Sequence, residues 1–468
     1  MRLFDWIKGV VNKMFKNDVK RIFNTDVLMS SLMAEAAKSW CDIVGGRPEW
    51  IDKEDNIDTI NFAKFITSDT AKKVCLDIDI HVDGSGRADY LQKVINNFKK
   101  VLRDKVEDAC AAGGIMLKPN GSGNVKNCIN YVAGNDFIIT EKTANGDITG
   151  AVFCDYIKRG TGIYTRLEYH RFENEIYIIT NKAYYSTNDK ELGREINLDE
   201  VPEWNSIDPE VSIENITAPL FAYFKMPFNN TVDQNSPLGV SVFSNAIKEL
   251  KDLDIAWSRK SGEVEDSKHM TFLDSNSLEY SKTHNIKLPR FVKGIDMGVT
   301  NENSIHEHVA TLLTEQRIND INSILSMIST KCGFSQGQFI LDRKTGHITA
   351  TQVEADDRET IETIKDIRDS LKDAVDHLIY ALDVYATLYH LAPAGSYETS
   401  YGFGDLTYNF EEDRARHWNY VIQGKYPLWR YYNEFEGMSE SEAKAIVKEA
   451  KEENSPEEKP GIFNGGNQ

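Results

Sequence analysis

Apolar residues recur at steps of three and four over one long stretch of the sequence, at residues 350–392. This spacing predicts a single continuous helix. Thr351 and Glu354 form a capping box at its predicted start, and Pro393 and Gly395 predict its end. A helix of about 40 residues is roughly 60 Å long, which is typical of a spine on which other elements pack. The apolar face comprises Ile361, Ile364, Ile367, Leu371, Ala374, Leu378, Leu382, Tyr385 and Leu388.

Two further long helices are predicted upstream, at residues 241–269 and 307–332. The intervening residues 270–306 break the helical pattern and contain short strand candidates among polar turns. The strand candidates are Thr271–Leu273, Ile286–Leu288 and Arg290–Val292. The sequence therefore predicts a small β insertion held between two helices, as a head on a stalk.

The first 240 residues change character near residue 110. Residues 1–110 are mostly helical in pattern, whereas 111–230 contain alternating strands joined by short turns, which predicts an antiparallel meander. The fold class is therefore α+β. The middle strand places Tyr164, Arg166, Glu168 and His170 on one face. No nucleophile accompanies them, so we expect this face to be solvated or to form an interface.

The composition is that of an acidic protein. The chain has 468 residues, 73 acidic and 54 basic side chains and a net charge of -19. A protein that grips nucleic acid through phosphates is normally basic, although an acidic passage for DNA is compatible with this charge. The six cysteines are widely spaced without a CxxC pair, which favours reduced thiols over a zinc site. No apolar run reaches the length of a membrane span.

The first residues form an amphipathic pattern with two interpretations. Leu3, Ile7, Val10, Val11 and Met14 share one helical face, and lysines lie among them. The segment is either an interfacial membrane helix or a terminal helix docked on this protein or a neighbour. The interspersed lysines and the lack of a small-residue cleavage site exclude a signal peptide.

One short segment has the composition of a metal site. Asp77, Asp79, His81 and Asp83 alternate along a predicted strand and would share one face. A divalent-metal-dependent hydrolase built on these residues is one hypothesis, and a simply solvated strand face is the other. A calcium loop is disfavoured because Tyr90, rather than Glu, stands at its twelfth position. No P-loop, HExxH or GxSxG motif is present, and no cofactor is predicted.

Four passages carry a resemblance to a known family. They are Ala111–Lys118 (AAGGIMLK), Pro219–Lys225 with Ser236–Phe243 (PLFAYFK and SPLGVSVF), Gly333–Phe339 (GFSQGQF) and Thr349–Glu354 (TATQVE). In the order and spacing of these four passages, the chain resembles phage portal proteins, particularly those of long-tailed phages of Gram-positive hosts. The resemblance spans residues 1 to about 450, and the acidic run Asp356–Arg358 departs from it.

The resemblance implies a portal-type fold with named regions. Residues 1–240 would be the wing, 241–269 and 307–332 the stem helices, and 270–306 the clip. Residues 334–349 would be the tunnel loop, 350–392 the spine helix, and 393–468 the crown with a disordered tail. The heptad-like stripe of the spine helix would suit packing between subunits.

The resemblance also implies a function without catalysis. The chain would form a homododecameric ring at the capsid vertex of the virion, assembled in the host cytoplasm with the major capsid and scaffold proteins and without contact to a membrane. Double-stranded DNA would pass through the tunnel loop near Gln336, Gln338, Arg343, Lys344 and His347. The terminase large subunit and a head completion or adaptor protein would dock on the clip, at Lys282, Lys287, Arg290 and Lys293. An ordinary polar loop is the alternative for the tunnel residues, and the acidic charge serves either to keep DNA from sticking or only to aid solubility.

Overall fold

A computed structural model of the chain describes most of the sequence from residue 17 onward. The described residues are 17–28, 30–52, 54–121, 124–133, 136–188, 191–266, 270–274, 283–284, 292–295, 305–308, 313–341, 350–404 and 410–453. They contain both helices and sheets in quantity, so the α+β class is confirmed. Two compact units are present, Met1–Gly404 and Asp405–Gln468.

The helices of the first unit account for the long apolar stripes of the sequence. They are α1 (Ser31–Val44), α2 (Phe62–Val74), α3 (Gly86–Ala112), α4 (Ile247–Asp266), α5 (Thr314–Lys331) and α6 (Ala350–Leu388). The second unit contains α7 (Phe410–Ile422), α8 (Leu428–Phe435) and α9 (Glu440–Glu453). The α9 helix starts at a reciprocal cap, in which the N–H of Ser439 donates to the Glu442 carboxylate and the N–H of Glu442 donates to the Ser439 hydroxyl oxygen. The short α8 helix has no counterpart among the sequence predictions.

The strands form four sheets. They are β1 (Asp79–Gly84), β2 (Gly114–Pro119), β3 (Ile129–Ala133), β4 (Phe137–Lys142), β5 (Ile148–Arg159), β6 (Gly162–Glu173), β7 (Ile176–Ser186), β8 (Arg194–Ile196), β9 (Glu210–Ile213), β10 (Ala222–Lys225), β11 (Met270–Asp274), β12 (Val292–Ile295), β13 (Ile305–His308) and β14 (Tyr397–Gly402). The largest sheet runs β4-β5-β6-β7-β8 with β9 also on β7, and every pairing in it is antiparallel. The predicted meander is confirmed. The other sheets are β10-β2-β3, β12-β11-β13 and β1-β14.

The 39-residue α6 is the longest helix among the described residues. The helix begins at Ala350, so Thr351 lies inside it. The predicted capping box is therefore wrong, because an N-cap residue stands before the first helical residue. Seven of the nine predicted stripe residues, from Ile364 to Tyr385, are buried. Leu388 is exposed and Ile361 is half-buried. Part of this face packs against Tyr177 and Leu220 of the same chain.

The burial of α6 within its own chain corrects one expectation from the sequence. The apolar stripe was expected to suit packing between subunits, but the core of this unit already covers it. The stripe is therefore not an argument for oligomerisation. The exposed side of the helix instead carries a row of carboxylates at steps of three and four. They are Glu359, Glu362, Asp366, Asp369, Asp373 and Asp376.

The two upstream helices form the predicted antiparallel pair. Lys331 Nζ lies 2.6 Å from Glu249 Oε1 at one end, and Arg317 Nε lies 2.9 Å from Glu263 Oε2 towards the other. Glu263 also accepts a hydrogen bond from the backbone N–H of Leu313, 2.8 Å away. The backbone bond and Arg317 lower the pKa of Glu263. Charge pairs thus bridge the two helices at two separate points along the pair.

The chain between α4 and α5 forms the sheet β12-β11-β13. The Thr271–Leu273 strand is confirmed. Of the strand predicted at Arg290–Val292, Val292 lies in β12, and residues 290–291 lie outside the described part. Residues 286–288 lie outside the described part. The second helix starts at Thr314 rather than near residue 307, because Ile305–His308 instead pairs with β11 as a strand.

Glycine permits a close approach between two segments that are distant in sequence, one at the end of α3 and the other shortly before α4. Gly113 has a φ of +86°, and a Cβ there would stand 2.4 Å from the Gly239 carbonyl oxygen. Nearby, the N–H of Val242 donates to the carbonyl oxygen of Cys110 at 3.1 Å. Since β10 pairs with β2, the passages Ala111–Lys118, Pro219–Lys225 and Ser236–Phe243 are neighbours in space.

Candidate functional site

The segment Gly333–Phe339 connects α5 to the region before α6 and is anchored on α6. The backbone N–H of Ser335 donates to Thr360 Oγ1 at 2.9 Å, and the N–H of Thr360 donates to Ser335 Oγ at 3.2 Å. The Gly333 carbonyl accepts from the Thr363 hydroxyl. Gly333 has a φ of +76°, which its lack of a side chain permits. The segment is therefore fixed at its base rather than loosely tethered.

The predicted DNA-channel and docking residues are only partly described. Gln336 is exposed and Gln338 is half-buried. Lys293 lies in β12. Arg343, Lys344, His347, Lys282, Lys287 and Arg290 lie outside the described residues.

The carboxylate-rich strand does not assemble the predicted ligand set. Asp79, His81 and Asp83 do share the outer face of β1, as predicted, while Ile80 and Val82 are buried. Asp77 precedes the strand with a φ of +44°, so its expected place on that face is wrong.

The carboxylate of Asp79 is already engaged. Its oxygens lie 2.6 Å from Lys99 Nζ and 2.6 Å from His81 Nε2. The hydrogen bond from Lys99 lowers the pKa of Asp79. Within the described part of the chain, no group of three or more His, Cys, Asp and Glu side chains is arranged to hold a metal ion. The geometry gives the hydrolase hypothesis no support.

A buried charge cluster lies on the face of β6 that was expected to be solvated or to form an interface. Lys118 Nζ and Arg166 Nη1 lie 2.6 and 3.1 Å from the same oxygen, Glu168 Oε2. His170 Nε2 lies 2.8 Å from the other oxygen of Glu168. Lys118, Glu168 and His170 are buried, and the side chain of Arg166 is 11% exposed. The solvated interpretation of this face is therefore wrong.

The cluster is buried because both faces of the six-stranded sheet are covered at its centre. Leu167 and Tyr169 point to one face and pack with Val19 from a helical segment at residues 17–23. On the other face, His170 contacts the rings of Phe153 and Phe221. Strand alternation predicts which residues share a face, but not whether another layer covers it.

A hydrogen-bond chain links the cluster to the segment before β10. Tyr177 lies with its hydroxyl 2.8 Å from His170 Nδ1, and this hydroxyl accepts from the backbone N–H of Leu220 at 2.9 Å. Because the ionised carboxylate of Glu168 can only accept, the neutral His170 ring donates from Nε2, and its Nδ1 accepts from the Tyr177 hydroxyl. The adjoining Pro219 carbonyl lies 2.8 Å from His377 Nε2 on α6. The cluster thereby connects the large sheet with the long helix.

Two cavities adjoin the cluster. One has a volume of about 440 Å³ and the other of about 560 Å³, and both are lined by Lys118, Asn130, Arg166 and Glu168. Sequence reasoning missed this site. The signal that could have found it is the triplet Arg166, Glu168 and His170 on one strand face, together with Lys118 at the end of an otherwise apolar strand.

No protein-family model and no curated protein matches the chain. None of the helices in the described ranges is long and apolar enough to cross a membrane.

The free energy of unfolding is expected to decrease as the pH falls, in two stages. Burial lowers the pKa of His170, so below about pH 6.5 the unfolded chain binds more protons than the folded one. Burial alone would raise the pKa of Glu168, but Lys118 and the His170 hydrogen bond hold it well below its usual value of 4.5. A second loss therefore begins near pH 4.5. Urea unfolding from pH 8 to 4 measures both stages.

The matched control for this pH dependence is His170→Gln, which keeps a polar side chain without the titration. It should reduce the first stage and retain the second; part of the first stage remains because burial also lowers the pKa of His377. An unchanged slope between pH 7 and 5.5 in this variant would contradict the role of His170.

Proposed function

We propose that this chain is the subunit of a phage portal ring, which conducts double-stranded DNA and docks the packaging motor. The observation that carries the proposal is the order of elements in the second half of the first unit. An antiparallel helix pair encloses a small sheet, and it is followed by the anchored segment Gly333–Phe339 and then by the 39-residue α6. This order is the one that the family resemblance implies for stem, clip, tunnel loop and spine.

The spatial arrangement of the resembling passages supports the proposal. Three of them meet where β10 pairs with β2 and Gly113 approaches Gly239. Gly333 contacts Thr363 of α6. Because these passages are distant in sequence, their proximity is consistent with a shared fold rather than with chance similarity of short stretches.

The negative charge of the chain is the second observation that supports the proposal. The exposed carboxylates of α6 add to a chain whose net charge is -19. A passage for DNA works best when the phosphates find few strong partners, because each lysine or arginine contact must be broken as the DNA moves. A few cations at a narrow point, such as Arg343, Lys344 and His347, would contact the phosphates transiently.

The proposal assigns partners by region. Twelve copies would form the ring at the portal vertex of the virion, assembled in the host cytoplasm together with the major capsid and scaffold proteins. The sheet β12-β11-β13 with its flanking basic residues would be the docking site for the terminase large subunit and later for a head completion or adaptor protein. No catalytic group is assigned to the chain.

Deleting Lys344–His347 is expected to leave ring assembly intact and to reduce DNA packaging by about tenfold or more, because the loop would no longer contact the DNA. The measurement is nuclease-protected DNA in packaging reactions, beside electron micrographs of the purified rings. A matched control replaces Lys344 and His347 by Ser, which keeps the length of the loop. Wild-type packaging by the deletion variant would remove the loop from the mechanism.

A further inference from the structure

The larger cavity beside the buried charge cluster has the size and lining of a ligand site. Its volume of about 560 Å³ is within the usual range for small-molecule sites. It lies between the large sheet, the strands β2 and β3, and the end of α6. No part of the proposed portal function uses it.

The inner end of this cavity offers hydrogen-bond donors. Lys118 is 4% exposed, and among the described residues its ammonium has one hydrogen-bond partner, Glu168 Oε2 at 2.6 Å. An ammonium group has three N–H donors, so two remain for another acceptor. The buried Nε of Arg166 also has no hydrogen-bond partner among the described groups. Buried donors without acceptors are costly, which favours an acceptor in the cavity.

The charges at this end favour an anionic acceptor. The water-excluded part holds two cations, Lys118 and Arg166, against the single carboxylate of Glu168. Asp208 also lines the cavity but is exposed to solvent, and the Asp155 side chain near Arg166 is 51% exposed. Solvent weakens the effect of both carboxylates on the buried cations. One additional negative charge would balance the cluster.

The outer wall of the cavity is apolar and comes from the end of α6. Leu388 and Tyr389 line it while remaining 42% and 56% exposed. Tyr389 stacks on Tyr385 with ring centroids 5.9 Å apart, and Ile213 lies on the same lining. A ligand that covers these side chains would remove apolar surface from water.

We propose that this cavity binds a carboxylate carried on an apolar body, with the carboxylate at Lys118 and Arg166 and the body against Leu388 and Tyr389. The carboxylate belongs either to a small organic acid or to an acidic residue flanked by apolar residues in a peptide segment. Because the cavity is bounded by both the large sheet and α6, an occupant would fix these two elements to each other.

Calorimetric titration of the full-length protein tests the proposal with paired probes. The first pair is 3-phenylpropionate and its neutral amide, and the second is N-acetyl-Leu-Glu-Leu-amide and the same peptide with Gln. Each acid is expected to bind about tenfold or more tightly than its neutral partner. Tighter binding of the peptide acid assigns the site to a polypeptide, and tighter binding of 3-phenylpropionate assigns it to a small acid.

Variants locate the binding. Leu388→Ala and Tyr389→Ala change exposed side chains and should weaken the preferred acid by about threefold to tenfold each. Lys118→Met should weaken the preference for the acid by about threefold or more, because Arg166 remains as the second cation. If this variant does not fold, Leu388→Ala and Tyr389→Ala carry the test. The proposal is overturned if neither acid binds at 10 mM or below, a ceiling of roughly −2.7 kcal/mol. Equal binding of acid and neutral probes, or unchanged acid binding in every folded variant, also overturns it.

Discussion

Replacing Glu168 by Gln is expected to lower the free energy of unfolding by about 3–5 kcal/mol, because it leaves the buried ammonium of Lys118 without its counter-charge and removes one of the two carboxylates beside Arg166. Glutamine keeps the size of the side chain, so packing changes little. The shared oxygen of Glu168 lies 2.6 and 3.1 Å from the two cationic nitrogens, and the side chain is 10% exposed. Urea unfolding of the full-length protein at pH 7.5 measures the loss.

The matched control removes one of the cations as well. The double variant Lys118→Met, Glu168→Gln should recover at least half of the lost stability, because the remaining cation, Arg166, already donates to Asn181 and Asp155. A loss below 1 kcal/mol in Glu168→Gln, or a double variant less stable than the single one, would contradict the account of the cluster.

Replacing Arg87 by Met is expected to cost about 2–4 kcal/mol, because three charge-assisted hydrogen bonds to backbone carbonyls are lost. The Arg87 side chain is 1% exposed, and its acceptors lie in or just after the last turns of α6. They are the carbonyls of Asp383 at 2.7 Å, Ala392 at 2.9 Å and Pro393 at 2.9 Å. The Asp383 carbonyl would still accept from the Thr387 hydroxyl, whereas those of Ala392 and Pro393, between α6 and β14, would lose Arg87 as their donor.

The control for Arg87 separates the effect of its positive charge from the effect of its branched hydrogen-bonding geometry. Arg87→Lys keeps the cation, which also lies 3.1 Å from Asp383 Oδ1 in the native protein, but one ammonium cannot reach three carbonyls as a guanidinium fork does. It should lose about half as much stability as Arg87→Met. Equal stability of Arg87→Met and the native protein would show that the contacts at the end of α6 contribute nothing.

The sequence predicted those parts of the fold that local periodicity determines. The α6 helix, the antiparallel α4–α5 pair, the small sheet between them and the meander β5-β6-β7 were all predicted from spacing and turn residues. Helix starts were less reliable. The helix predicted at residues 307–332 was expected to include Glu307 and His308, but pairing with β11 places both residues in a strand. Tertiary pairing of this kind overrides local preference.

The candidate sites were harder to predict, because their properties depend on what covers them. Glu168 and His170 alternate like solvated strand residues, but Phe221, in the segment before β10, and Lys118 of β2 lie against this face and bury them. The apolar stripe of α6 was recognised correctly, but its partner could not be read from periodicity, and it proved to lie in the same chain. Asp77 fell outside the β1 pattern because its backbone is left-handed there.

The portal proposal depends on assembly, and the measurement that tests it most directly is the mass and shape of the purified full-length protein. Light scattering gives the mass, and negative-stain electron microscopy gives the shape. The proposal predicts rings with a central hole and a mass near twelve times 53.1 kDa. A compact monomer at every salt and protein concentration, with scaffold and capsid proteins present as well as absent, would contradict it.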